Sequence, residues 1–181
     1  ALFAQIFGES KIEMNLVERV LAITEALSRH RIPYAVGGAL ALAYATEEPR
    51  GTRDIDVNVF VPSEDVDKVF SALPTGVRAT ASDRKRVLQD DQVRLWWDDT
   101  PIDVFFAAED FHLQVAKRCI KVPFANQTIK ILCADDLAVF KAMFNRPKDW
   151  VDIDEMAISG SLNRAKVARR LAGILGHDDP R

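Results

Sequence analysis

Cysteine is nearly absent: Cys119 and Cys133 are the only two in 181 residues, too few for a disulfide framework or a ligand cluster. A bridge between them would require neighbouring strands to bring them together. Otherwise both read as small buried hydrophobes of a reduced, cytoplasmic protein. No apolar run approaches the roughly 20 residues of a membrane helix. Ala1-Leu2-Phe3-Ala4 has no basic stretch ahead of an apolar core, so no secretory signal is expected; without a Met, that start reads as trimmed. Positive charge is not in excess either. A net charge of −3 does not favour a non-specific coat for nucleic acid, and a polyanion would have to meet a local basic patch. No repeat, low-complexity tract or Gly/Ser/Pro-rich linker divides the chain. What is there is ordinary globular composition, 48% hydrophobic and 28% charged. The expectation is a single structural unit, with a core over 1–133 and a helical tail over 134–181 packed on it.

Leu16, Val20, Ile23 and Leu27 recur at helical spacing and predict a helix over 14–29. Ile32 to Val36 is a short strand that stops at Gly37-Gly38, and the Ala/Leu-rich 39–45 suits a buried helix. Residues 54–61 alternate, with Ile55, Val57, Val59 and Val61 on one face and Asp54, Asp56 and Asn58 on the other. Ser63 is placed to cap a helix through Val66, Val69 and Phe70. The polar 74–91, with Arg84-Lys85-Arg86, reads as a surface loop. Strands at 93–97 and 102–106 form a hairpin around 98–101. A helix near 110–117 and a second hairpin around 125–127 follow. From Asp135 the pattern is helical, with breaks near Pro147 and Gly160. The fold class is α/β (α+β): a small mixed sheet flanked by helices, with a C-terminal helical tail.

Asp54 and Asp56 stand two apart on a strand, so both carboxylates leave one face while Ile55 and Val57 fix the other. Asp103 interrupts the apolar run Pro101-Ile102-Asp103-Val104-Phe105-Phe106. If the two strands pair, three anions converge, which raises their pKa values and destabilises the sheet unless a cation joins them. A hard divalent ion with oxygen ligands answers that need, and Mg²⁺ suits carboxylates that share it with substrate phosphates. Two ions about 4 Å apart would hold an attacking hydroxyl and a leaving phosphate oxygen. Asp103 would also help deprotonate the hydroxyl. The plainer alternatives are a solvated strand end for Asp54 and Asp56, and for Asp103 an edge-strand carboxylate paired with a nearby arginine. Gly37-Gly38 either makes an ordinary turn or lets backbone N–H groups and a helix N-terminus approach a phosphate.

Val36-Gly37-Gly38, Arg50-x-Thr52-x-Asp54-Ile55-Asp56-Val57 and Ile102-Asp103-Val104 together resemble the signature of the nucleotidyltransferase superfamily with its minimal core. The resemblance covers about residues 30–110. It implies a nucleotidyltransferase fold, metal ligation by Asp54, Asp56 and Asp103, and triphosphate contact at Gly37 and Gly38, with Arg50 and Thr52 shaping the site. Asp135 to Lys141, followed by Arg146-Pro147-Lys148-Asp149-x-x-Asp152, resembles the tail of the abortive-infection toxin branch. There Lys141 would neutralise the triphosphate, oriented by Asp149 or Asp152; the alternative is a lysine snorkelling at the edge of its helix stripe.

The implied reaction transfers a nucleoside monophosphate from an NTP, ATP among them, to a hydroxyl, with Mg²⁺ and release of pyrophosphate. By the resemblance the acceptor is a tRNA end, a protein side chain or a small molecule such as an aminoglycoside; the toxin-like tail favours a tRNA or a protein, and implies a cognate toxin or antitoxin partner. A short 47–51 segment leaves little lid over a nucleotide, and no acceptor-recognition module is legible. A non-catalytic nucleotide- or partner-binding member is the rival from another class, and a phosphoryl hydrolase is a third reading. Trp96-Trp97 reads as one core ring and one surface ring, and Trp150 as packing. His30, His112 and His177 share no metal spacing. Arg84-Lys85-Arg86 and the group Arg164, Lys166, Arg169, Arg170 read as solvated faces, with an anionic acceptor as the lesser alternative.

Overall fold

The computed structural model describes residues 14–49 and 51–181. Helix α1 (Leu16–Arg29) opens with a reciprocal capping box: Asn15 accepts from the Glu18 backbone, and the Glu18 carboxylate accepts from the Asn15 N–H. It buries Val20, Ile23 and Leu27 against the sheet. Strand β1 (Tyr34–Val36) runs into the glycine pair and helix α2 (Gly38–Thr46), then β2 (Ile55–Val59). A 3₁₀ turn (Ser63–Asp65), α3 (Val66–Ala72), β3 (Val77–Arg78), α4 (Ala81–Asp90) and the hairpin β4 (Gln92–Trp97) and β5 (Thr100–Phe105) come next. Then follow α5 (Asp110–Arg118), the hairpin β6 (Ile120–Phe124) and β7 (Gln127–Ile131), and helices α6 (Ala134–Phe144), α7 (Pro147–Ile158) and α8 (Arg164–Leu175).

The strands form one seven-stranded mixed sheet in the order β3-β4-β5-β2-β1-β7-β6. Two parallel pairings, β2 with β5 and β1 with β7, sit among antiparallel neighbours. The register that matters is at the centre: Asp56 lies opposite Asp103, and Asp103 lies opposite Arg94. The core beneath holds Ile55, Val57, Ile102 and Val104, all 2% exposed or less. Helices α6 and α7 pack on α2, and α8 packs on α6. Leu137, Val139, Met156 and Leu171 thereby join the same hydrophobic cluster as the sheet. Among the described residues no helix is long and apolar enough to cross a membrane.

Three expectations need correction. Residues 81–90 are helix rather than loop: Thr80 and Asp83 cap each other's backbone groups, and Val87, fully buried, anchors the helix to the core. One buried apolar anchor in a ten-residue helix gives almost no periodic signal. The hairpin turn is the two residues Asp98-Asp99, because Trp97 pairs with Thr100. Ser63 caps nothing; its hydroxyl donates to Asp91.

Candidate active site

The site is built on the face of the sheet opposite Ile55, Val57, Ile102 and Val104. Alternation along β2 puts Asp54 and Asp56 there, alternation along β5 adds Asp103 and Phe105, and β4 contributes Arg94. The Arg94 guanidinium grips both oxygens of Asp103, Nε to Oδ1 at 2.8 Å and Nη2 to Oδ2 at 2.7 Å. The same Nη2 donates to Oδ2 of Asp54 at 3.3 Å. The arginine partner considered for Asp103 is therefore real, although β5 lies inside the sheet and not at its edge. Hydrogen bonding to Asp103 holds Arg94 protonated well above its ordinary range.

Asp56 has the opposite character. Burial, and then the charges of Asp103 and Asp54, raise its pKa from 3.8 to about 6, while Lys141 and Arg94 only partly compensate. Among the described residues no three His, Cys, Asp or Glu side chains are arranged to hold a metal ion. The physical reason is visible in the ion pairs: Asp54 and Asp103 are both turned to Arg94.

The glycine pair lies directly over Asp56. Gly37 donates its N–H to the Asp56 carbonyl at 2.8 Å. Gly38 has φ +52, and a Cβ there would lie 1.8 Å from Asp56 Oδ2. Only glycine allows the start of α2 to approach the acid so closely. No side chain caps that helix start, so its N–H groups and positive dipole end remain available.

From α6, Lys141 reaches the same place. It is buried, with Nζ 2.6 Å from Asp152 and 3.8 Å from Asp149. Asp149 has no exposure and accepts a two-pronged contact from Arg146, at 2.6 and 3.0 Å. Burial pushes the Asp149 carboxyl up, but the Arg146 hydrogen bonds and charge, with that of Lys141, bring it below the usual carboxylate value. Thr52 exchanges hydrogen bonds with the Asp54 backbone and shapes the entry to β2. Arg50 lies outside the described residues.

Gly38, Asp56, Asp103, Arg94 and Lys141 all line one cavity of about 700 Å³. Gly37, Thr52, Asp54 and Asp152 do not line it. Its far wall is aromatic: Phe105 and Phe144 meet edge to face at 5.8 Å, and Arg146 lies 4.9 Å over the Phe144 ring. Phe140 and His112, 5.4 Å apart, continue that wall. Arg94 and this wall were not singled out from the sequence. The alternation of Gln92, Arg94 and Trp96 on β4 was the signal for Arg94. The cysteines are free, and burial pushes the Cys119 thiol up to about 12.

A mixed sheet that carries paired acids on one strand, a third on its parallel neighbour and a glycine turn above them defines a nucleotidyltransferase. The family described as "Nucleotidyltransferase of unknown function (DUF6036)" matches residues 14–174, and the chain belongs to it. Its enzyme class is that of the family, the transfer of a nucleoside monophosphate. No curated protein matches the sequence. Among solved structures the chain is similar to the antibiotic-resistance factor ANT(2'')-Ia in solution, with a TM-score of 0.61 and 16% identity over 87% of this chain and 90% of that one. A crystal structure of ANT(2'')-Ia in complex with adenylyl-2''-tobramycin gives 0.60 and 16%, over 87% and 95%. The lincosamide antibiotic adenylyltransferase LnuA, lincomycin-bound, gives 0.53 and 12%, over 77% and 94%. At these identities the likeness is one of fold.

Proposed function

We propose that the protein is a Mg²⁺-dependent nucleotidyltransferase that moves a nucleoside monophosphate from an NTP to a hydroxyl of a small-molecule acceptor. The observation that carries this reading is the stack of Gly38 on Asp56, with Asp56 paired to Asp103 across β2 and β5. That stack opens on a cavity whose size suits small ligands. The donors are of the kind a hard divalent ion takes, since all three are carboxylates, and the pKa of Asp56 is raised by burial first and then by the charges of Asp103 and Asp54. Asp54, Asp56 and Asp103 would hold the ion, which when bound supplies Lewis-acid polarisation of the α-phosphate.

The chain's own groups do the rest. Backbone N–H groups at Gly37, Gly38 and the start of α2 receive phosphate oxygens. Lys141 brings a cation to the triphosphate, held in place by Asp152 and Asp149. Asp103 accepts the proton of the acceptor hydroxyl as its oxygen bonds to the α-phosphorus. The bond from that phosphorus to the bridging oxygen breaks, and pyrophosphate leaves with the electron pair. Arg50 is assigned to the site on the resemblance alone, and Thr52 supports the strand entry.

A small-molecule acceptor is favoured by the antibiotic ligands named for ANT(2'')-Ia and LnuA. A tRNA end or a protein side chain, and a place in a toxin–antitoxin pair, rest on the tail motif from Lys141 to Asp152. The second reading, a non-catalytic member that binds nucleotide or a partner protein, draws on the arginine that already ties up two of the acids.

The test is titration calorimetry with ATP, CTP, GTP and UTP plus Mg²⁺, on the wild type and an Asp54→Ala, Asp56→Ala double variant. Metal-dependent binding that is lost in the variant supports the enzyme. Metal-independent binding, unchanged in the variant, supports the non-catalytic member. With α-labelled NTP, pyrophosphate and a labelled acceptor mark transfer, whereas free phosphate marks hydrolysis.

A further inference from the structure

We propose that Arg94 is the resident counter-cation of the acid cluster, exchanged out when a divalent ion enters. The inference rests on the site reading above and goes beyond it, because it concerns how that site is loaded.

Three adjacent strands place Arg94, Asp103 and Asp56 in one row across the sheet, each opposite the next. Arg94 uses two nitrogens on Asp103 and shares one of them with Asp54. That shared nitrogen, 2.7 Å from one acid and 3.3 Å from the other, occupies the space between the outer carboxylates. A Mg²⁺ ion bound by the same oxygens would need contacts of about 2.0–2.1 Å to them. It would meet a guanidinium of like charge in that space, so the two cations exclude each other.

Three converging carboxylates repel one another, and the arginine offsets the repulsion for the outer two. Asp56 keeps the deficit, being the acid to which Arg94 donates no hydrogen bond. Displacement needs no backbone change. The Arg94 side chain is 46% exposed, on the solvent-facing positions of β4, and its flexible stem can carry the charged head away into the cavity. The exchange makes metal affinity a competition, in which the protein binds an ion only as tightly as the ion outbids a two-pronged arginine.

The experiment titrates Mn²⁺ alone, without nucleotide, into the wild type, Arg94→Gln, Arg94→Lys and Arg86→Gln, and follows metal-free and metal-loaded melting temperatures of each. Arg86 lines the same cavity, and Arg86→Gln removes a cation without touching either acid, so it measures the long-range effect of charge. The expected result is Mn²⁺ binding on the order of tenfold tighter in Arg94→Gln, the loss of one charge-assisted contact. Arg94→Lys should fall between, since an ammonium keeps the charge but not the fork. Metal-free Arg94→Gln should melt lower than the wild type and recover further on adding Mn²⁺. Equal tightening in Arg94→Gln and Arg86→Gln overturns the exchange, as does unchanged affinity in Arg94→Gln. If either result comes with binding abolished by the Asp54→Ala, Asp56→Ala double variant, the site reading survives. Absence of Mn²⁺ binding in the wild type and in a folded Arg94→Gln overturns both.

Discussion

Asp56 and Gly38 are in such close register that the acid's Oδ2 stands 1.8 Å from where a Gly38 side chain would begin. The helix start and the buried carboxylate are thus one unit: moving either displaces the other. The contact explains why a residue with φ +52 opens a helix here. A phosphate held by the N–H groups of α2 would lie next to the Asp56 carboxylate.

Gly38→Ala should therefore fail twice. The added methyl meets a carboxylate in a conformation L-residues avoid, costing roughly 1–3 kcal/mol of stability. If the side chain of Asp56 gives way, the metal and nucleotide positions shift and NTP affinity falls. Gly51→Ala is the comparison, since nothing lies within 4 Å of its Cβ position. Urea unfolding and NTP calorimetry on both variants check this; near-wild-type values for Gly38→Ala would show that the close approach is dispensable.

Asp56 makes the metal-free protein less stable as pH rises. Its pKa is about 6 folded against 3.8 for the ordinary carboxyl, so between those values the native state holds more protons than the unfolded chain. Stability falls through that window, and the full cost persists above it. Two pKa units correspond to about 3 kcal/mol. Asp56→Asn, in EDTA, should then be more stable than the wild type by up to about 3 kcal/mol at pH 8. The two should converge near pH 3.5. Unfolding curves at both pH values decide it, and a variant no more stable at pH 8 contradicts the origin assigned to the shift.

Much of this was readable in the residues, for a definite reason. Strict alternation at 54–59 and the isolated acid at 103 fix which side chains leave the sheet on the site's face, and pairing of the two strands then brings them together. The Gly-Gly turn is equally local. Arg94 was hidden by register. A four-residue turn over 98–101 would place Trp96 opposite Asp103, whereas the two-residue turn at Asp98-Asp99 moves the pairing along by two and delivers Arg94. The face is the same, but the partner changes. The aromatic wall was unreadable for another reason: Phe105 and Phe144 come from β5 and from the end of α6, and only tertiary packing brings them to 5.8 Å.

The last helix is tied to the fold in part by one buried acid. Asp136, 1% exposed, accepts two hydrogen bonds from Arg118 of α5 and a third, at 2.7 Å, from Arg170 of α8. Removing the shared partner strands two guanidinium groups, one of them largely buried. Asp136→Ala should cost roughly 3–5 kcal/mol, with amide exchange quickening first across α8. Arg118→Ala, at the more exposed arm of the network, should cost less. Hydrogen exchange with mass spectrometry reads both, and protection of α8 unchanged in Asp136→Ala would remove this network from the account of how the tail is held.

Lys141 and Asp149 divide binding from stability. Asp149 is sealed from solvent, and its pairing with Arg146 at 2.6 Å joins the start of α7 to the Lys141 ammonium at 3.8 Å. Asp149→Ala leaves Lys141 with Asp152 and a half-exposed Arg146 beside an emptied site, so its main effect should be a loss of roughly 1–3 kcal/mol in unfolding free energy. Lys141→Met leaves Asp149 with Arg146 and keeps most of the side chain's packing volume, but takes from Asp152 the ammonium at 2.6 Å, at a cost of roughly 1–3 kcal/mol. The fold should survive that change. What disappears is a cation at the cavity wall beside Asp56, and one charge-assisted phosphate contact is worth about 1.5–3 kcal/mol, or roughly ten- to a hundredfold in NTP affinity. Calorimetry of Mg²⁺–NTP binding alongside urea unfolding separates the two variants. If Lys141→Met binds NTP as the wild type does, the buried lysine serves only to satisfy the acids of α7, and the triphosphate must be held by the glycine turn without it.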